Sequence, residues 1–160
     1  MIRNVKESDA LQISEIYNHY IRNTAITFEE AEIKEDDIIR RIKSVTEEFP
    51  WIINEEEGII NGYAYSNRWK ERSAYRYSAE NTVYVHKDHF GKGIGKMLLQ
   101  ELIVQLKKKG IHSILAGIAM PNEASIVLHE KCGFIKCGTL KEVGFKFGKW
   151  VDVGYWEKIL

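Results

Sequence analysis

Gly91, Gly93 and Gly95 stand within five residues, directly after the apolar run Thr82 to Val85 and directly before a helical pattern that reaches Lys109. A strand, a glycine-rich turn and a helix start, in that order, make an anion site. Glycine lets the main chain come close to a ligand, and the first N–H groups of a helix have no partner inside it. The helix dipole adds about half a positive charge at the same end. The guest that suits such a turn is a phosphate or diphosphate. A P-loop would need Gly-Lys followed by Ser or Thr, but Gly95-Lys96 is followed by Met97, and Phe90 stands where the first Gly belongs. A dinucleotide fingerprint would need Gly-x-Gly-x-x-Gly near the start of a βαβ unit, whereas this one reads Gly-x-Gly-x-Gly and lies past mid-chain. The bland alternative is a glycine-rich helix start with no ligand, but glycine weakens a helix and three are present.

The elements around this turn follow from periodicity. Ile2–Val5 reads as a first strand. Asp9 with Gln12 reads as a capping box for a helix whose buried face carries Ile13, Ile16, Tyr17 and Tyr20. Glu35–Thr46 reads as a second helix with Ile38, Ile39 and Ile42 inward. Trp51–Asn54 and Ile59–Trp69 read as a hairpin around the acidic turn Glu55–Gly58. Lys70–Tyr77 connects to the central strand. The third helix stops at Gly110 behind Lys107, Lys108 and Lys109, cations that suit a helix C-terminus. Ser113–Ala119 reads as a buried strand parallel to the central one, and Asn122 as the N-cap of a helix Glu123–Cys132. Strands near Ile135–Val143 and Trp150–Lys158 finish the chain, with Gly144–Lys149 between them. The order predicts an α/β fold: a central mixed sheet of about seven strands flanked by about four helices.

Composition sets the class. A chain of 160 residues is sized for one domain, residues 1–160. Lys and Arg number 23, as do Asp and Glu, which gives no electrostatic case for nucleic acid or an anionic membrane. No run reaches the length of a membrane span, and the N-terminus shows no signal-like apolar stretch. Cys132 and Cys137 make no disulfide framework, and the histidines show no metal spacing, so no metal is expected. Together these point to a cytoplasmic protein.

The glycine turn resembles the acyl-coenzyme A pyrophosphate loop of the GNAT N-acetyltransferases, usually Arg/Gln-x-x-Gly-x-Gly/Ala, with Phe90 departing from the Arg or Gln. Longer stretches are more specific. Glu80-Asn-Thr-Val-Tyr-Val resembles the Glu-Ser-Thr-Val-Tyr-Val run of phosphinothricin acetyltransferases. Gly144-Phe-Lys-Phe-Gly-Lys-Trp-Val-Asp-Val-Gly-Tyr-Trp, Asn18-His19-Tyr20, the Phe28 turn, Arg72–Tyr75 and Asn122–Phe134 match in the same order. The chain is identified by this resemblance as a GNAT enzyme of the phosphinothricin and methionine sulfoximine acetyltransferase type.

The resemblance implies the GNAT fold, acetyl-CoA as co-substrate, a small amino-acid-like amine as acceptor and a homodimer. It makes Glu80 the general base, which must reach the amine directly or through one water. It places the main chain of Val83, Tyr84 and Val85 beside the pantetheine arm, with the Val85 amide toward the thioester oxygen. Gly91, Lys92, Gly93, Ile94, Gly95 and Lys96 are to hold the diphosphate, and the Asn122 side chain is to contact the coenzyme. His129 stands where many relatives have a Tyr that protonates the leaving thiolate, so it is a general acid or a packed helix-face histidine. Arg72 is to clamp the acceptor carboxylate, with the backbone of Ser73, Ala74 and Tyr75 beside it and Phe28 and Tyr75 as pocket walls. Lys146, Trp150 and Asp152 read as a local ion-pair and packing unit, and Phe147 replaces a His of some relatives. The competing readings are a protein or peptide N-acetyltransferase and a non-catalytic acyl-CoA-binding module; the carboxylate of Glu80 argues against the second.

Overall fold

The computed structural model describes all 160 residues. The elements are β1 (Ile2–Asn4), α1 (Ala10–Asn23), α2 (Glu35–Glu48), β2 (Trp51–Glu56), β3 (Ile59–Arg68), β4 (Ser78–Val85), α3 (Ile94–Lys108), β5 (Ser113–Ala119), α4 (Glu123–Lys131), β6 (Ile135–Lys146) and β7 (Lys149–Ile159). All seven strands form one sheet in the order β1-β2-β3-β4-β5-β7-β6, and only β4 and β5 run parallel. The expected mixed seven-stranded sheet with four helices is what the chain forms. No helix is long and apolar enough to cross a membrane.

Side-chain alternation divides the sheet into two faces. On one, Leu98, Leu99, Leu102 and Leu106 of α3 pack with Ala79, Ile114, Ala116 and Trp156. On the other, Ile13, Ile16 and Tyr20 of α1 and Ile38 and Ile42 of α2 cover Trp51, Ile53 and Tyr63. Along β4, Ala79, Val83 and Val85 therefore belong to the α3 face and Tyr84 to the α1 face, with Glu80 and Thr82 in step with Tyr84.

Three expectations give way. Asp9 does not cap α1 through its side chain. Its carboxylate instead accepts from the Lys6 N–H at 2.7 Å and from Arg3 at 2.8 and 2.9 Å, because a guanidinium fork is a stronger donor than a helix N–H. Gln12 is drawn away as well, donating to the Gly58 C=O and accepting from the Ile60 N–H of the hairpin. The Gly144–Lys149 connector is mostly strand. β6 runs to Lys146, its register shifts between Leu140 and Gly144, and the turn is only Phe147-Gly148, both at positive φ. The glycines mark an irregular strand and a tight turn rather than a loop.

The third concerns Lys146 and Asp152, which do not pair. Asp152 accepts from Lys141 and the Glu142 N–H, both at 2.8 Å. Lys146 is 2% exposed and donates to the Thr27 C=O at 2.8 Å, fastening the α1–α2 loop to the hairpin. The Phe28 ring lies against the bare α-carbon of Gly144 in the same contact, where an added Cβ would fall 2.3 Å from the ring. Lys146→Met keeps the volume but leaves the Thr27 carbonyl without a donor. It is expected to cost about 1–3 kcal/mol, read as a lower midpoint in thermal or urea melts.

Candidate active site

The site lies where β4 and β5 part. They pair only at Ser78–Ser113, Ala79–Ile114 and Glu80–Leu115, and beyond Glu80 the two strands diverge. The antiparallel ladder on the other side fixes which groups the gap exposes. His86 N–H donates to Asn61 C=O at 2.8 Å, and the register is unbroken back to Arg68–Ala79. Main-chain groups alternate along such a strand, so those of Glu80, Thr82 and Tyr84 serve β3. Those of Asn81, Val83 and Val85 face the gap. Of the three residues expected beside the pantetheine arm, Val83 thus offers a free N–H and C=O and Val85 a free N–H, its C=O being taken by the Tyr20 hydroxyl. Tyr84 spends its own on Tyr63, and its ring packs with Tyr17, Tyr20 and Tyr63.

The gap opens into a cleft of about 730 Å³ lined by Val83, Tyr84, Val85, Gly91, Gly93, Ile94, Gly95, Lys96, Asn122 and His129 among others. Gly91 and Gly93 have φ of 75° and 77°, the left-handed region that only glycine enters freely, and Gly93 is the residue at the α3 N-cap. Gly95 sits inside the first turn, where a Cβ would meet Leu128 at 3.3 Å and Val85 at 3.5 Å. The turn therefore presents bare main chain and the positive end of a fifteen-residue helix to one end of the cleft. Lys92 is exposed outside the lining, with its Nζ 3.4 Å from His89 Nδ1. Asn122 caps α4 by accepting from the Ser125 N–H at 3.2 Å, which leaves its NH₂ free toward the cleft.

Glu80 stands at the apex of the gap on the α1 face. Its carboxylate has no hydrogen-bond or ion-pair partner in the protein. Burial pushes it above the ordinary carboxylate value, partly offset by the ammonium of Lys70. A proton acceptor that is free and more basic than usual is what a general base requires. An ideal Cβ on Gly117 would lie 3.0 Å from Glu80 Oε1 and 3.2 Å from the Tyr155 ring, so carboxylate and phenol flank one bare α-carbon. Trp69 packs edge-on to Tyr155 at 5.6 Å and carries the Lys70 ammonium 4.9 Å above its face. Gly117, Tyr155, Trp69 and Lys70 escaped the sequence reading because they meet only through sheet register.

Tyr20 escaped it too. Its hydroxyl donates to the Val85 C=O at 2.6 Å and lies in the cleft wall, and burial pushes its pKa up to about 12. The signal was Tyr20 on the buried stripe of α1: a tyrosine at a core position must place its hydroxyl somewhere.

Of the two readings of His129, the geometry favours the packed histidine over the general acid. Its Nδ1 is 2.7 Å from the Ser125 C=O, which only accepts, so Nδ1 carries the proton. Nε2 then accepts from Asn81 Nδ2 at 2.9 Å. The ring is 4% exposed, and burial holds its pKa below the usual value, so it is neutral with both nitrogens engaged.

The residues assigned to the acceptor do not line this cleft. Arg72 and the short helical turn Ser73–Tyr75 link β3 to β4 and are exposed. The Arg72 guanidinium has no partner, which removes the surface ion pair as its explanation. Phe28 is 40% exposed and lies over Gly144. No three His, Cys, Asp or Glu side chains are grouped to hold a metal ion.

Comparison with known proteins agrees with this geometry. The profile of the acetyltransferase (GNAT) domain matches residues 2–154. The phosphinothricin N-acetyltransferase of Streptomyces viridochromogenes is 35% identical over 98% of this chain and 86% of its own length. The L-methionine sulfoximine/L-methionine sulfone acetyltransferase of Salmonella typhimurium is 36% identical over 98% and 92%. Among solved structures, the ribosomal-protein-alanine N-acetyltransferase from Brucella melitensis superposes with a TM-score of 0.98 at 37% identity, covering 100% and 99% of the two chains. The phosphinothricin acetyltransferase from Sinorhizobium meliloti, in complex with acetyl-CoA, gives 0.96 at 33%, covering 100% and 88%. Parted strands, a glycine turn at the helix N-terminus and nearly full-length identity lead to one assignment: the chain belongs to the GNAT family of acetyltransferases.

Proposed function

We propose that the protein transfers the acetyl group of acetyl-CoA to the α-amino group of a small amino-acid-like acceptor of the phosphinothricin, methionine sulfoximine or methionine sulfone type, by direct attack. The observation that carries the reading is the unpartnered Glu80 carboxylate at the apex of a gap whose far end is the Gly91–Lys96 turn. Acetyl-CoA enters from the α3 face with its diphosphate on that turn and its arm along Val83 and Val85. The acceptor enters from the α1 face.

The acceptor amine arrives as an ammonium and gives one proton to Glu80. Its nitrogen lone pair then attacks the thioester carbon. The carbonyl electrons move onto oxygen, where the Val85 N–H stabilises the charge. When the oxyanion collapses, the C–S bond breaks and the thiolate leaves. Thiols titrate at about 8.5, so the thiolate takes up the second nitrogen proton, through water because the His129 ring is committed elsewhere. Glu80 returns its proton to solvent, and the products are the amide and free CoA.

Arg72 binds the acceptor carboxylate. Arg72→Ala is expected to raise KM for the amino acid tenfold or more while KM for acetyl-CoA stays within twofold. A parallel rise in both would make Arg72 a structural or cofactor residue. The exposed aromatic stretch of the hairpin, Phe145, Phe147 and Trp150 on the sheet edge, supports a homodimer, since monomers rarely leave such a patch uncovered. Two unpaired cysteines fit work in the cytoplasm, where acetyl-CoA is made.

A second reading has its own support in the Brucella structure, whose protein acetylates a ribosomal protein's alanine by name. Offering free methionine sulfone, phosphinothricin and an alanine-ended peptide side by side, with thiol release as readout, separates the two. Turnover of the peptide alone would replace the proposal.

A further inference from the structure

Asn81 is the residue of the cleft that neither the glycine turn nor the base explains. It is the first residue past the last β4–β5 pair, its side chain points to the α3 face, and it lines the cleft at 7% exposure. Its Nδ2 is spent on His129, and its Oδ1 is buried with no donor. A buried carbonyl without a partner costs about 1–3 kcal/mol, so it calls for a ligand or water. Its orientation is not free. Ser125 holds the proton on His129 Nδ1, Nε2 is left as an acceptor, and only the NH₂ side of the amide can face it. The oxygen is thereby turned the other way.

We propose that Asn81 Oδ1 is a binding group for the acyl donor, accepting a hydrogen bond from an amide N–H of the pantetheine arm, and that His129 is the positioning residue that aims it. The inference rests on acetyl-CoA occupying this cleft as the proposed function has it. The arm carries two amide N–H groups and threads a gap whose own main-chain partners at Asn81, Val83 and Val85 are limited in number. A further acceptor at the apex fixes how deep the arm sits, and so where the thioester stops relative to Glu80.

The test compares CoA with ADP, which has the diphosphate but no arm. Asn81→Leu is expected to weaken CoA about fivefold to tenfold, one ordinary hydrogen bond, and to leave the ADP Kd within twofold. His129→Gln, which frees the amide to turn over, is expected to act in the same direction on CoA and not on ADP. A pH arm reads the positioning role separately. When pH falls through the lowered His129 pKa, Nε2 gains a proton and can no longer accept, so the amide must turn. Ser125 and Asn81 are its hydrogen-bond partners, the Phe134 ring meets it edge-on at 5.0 Å, and no charged side chain pairs with it. The ratio of CoA to ADP affinity should drop below the ordinary histidine range in the parent protein and stay flat in Asn81→Leu. If Asn81→Leu weakens CoA and ADP alike, the residue is structural. If it weakens neither, Oδ1 is satisfied by water and the proposal fails. If the parent protein binds no CoA, it is the functional reading that falls.

Discussion

Glu80→Gln is expected to lower kcat by roughly two to four orders of magnitude, the usual share of a positioned general base, with the acetyl-CoA Kd unchanged. The amide keeps the shape of the carboxylate but cannot take the ammonium proton. Because Glu80 has no partner to lose, the exchange breaks no contact in the fold, and the thermal midpoint should not fall. The pH profile supplies the sign. Burial raises the Glu80 pKa, so the base is charged only above a value higher than the usual carboxylate one. In the parent enzyme kcat/KM should fall as pH drops through that raised value, because the protonated carboxyl cannot accept. The limb should vanish from the residual activity of Glu80→Gln. A mutant as active as the parent across the pH range would remove Glu80 from the chemistry.

The second large effect is expected at the glycine turn. Gly93 has a left-handed φ of 77°, faces open space, and is the α3 N-cap. Asp tolerates that region better than most residues and is a good cap, so Gly93→Asp should fold and hold its helix. Its carboxylate, however, would stand where the diphosphate is to lie and would cancel the positive helix end. Acetyl-CoA binding should weaken a hundredfold or more by titration calorimetry, with Tm of the free protein little altered. Equal affinity in the two proteins would place the diphosphate elsewhere. Gly93→Asn, neutral and equally suited to the backbone, separates charge from geometry, since it should weaken binding far less.

Much of this was legible in the sequence. The β4–turn–α3 unit announces itself through the switch from β-branched residues to glycines to a leucine stripe, all local signals. Asn122 and the glycines were located by capping and by the glycine pattern, whereas Glu80, inside β4, was named only through the family resemblance. What stayed hidden depends on register between distant strands. Gly117 and Tyr155 flank Glu80 only because β5 lies between β4 and β7, and no spacing in the chain encodes that order. Lys146 reads as a partner for Asp152, six residues on, but alternation along β7 and a two-residue turn send the two to different neighbours 119 and 11 residues away. His129 was read as a possible acid because it stands where relatives carry a Tyr; its local bond to Ser125, four residues back on α4, sets the tautomer, and the tertiary bond from Asn81 occupies the other nitrogen.

The three residue pairs that join β4 to β5, extended by the Tyr77 C=O accepting from the His112 and Ser113 N–H groups, are the only strand pairing between the two halves of the sheet. One half is β1 to β4, the other β5 to β7, and α3 crosses behind them as a strut packed on β2, β3 and β4. A coenzyme lying in the gap would act as a missing strand, lacing both halves along its length. Cohesion of the molecule is then partly on loan from its own reagent, and a cell poor in acetyl-CoA would hold this enzyme in a looser, more easily digested form.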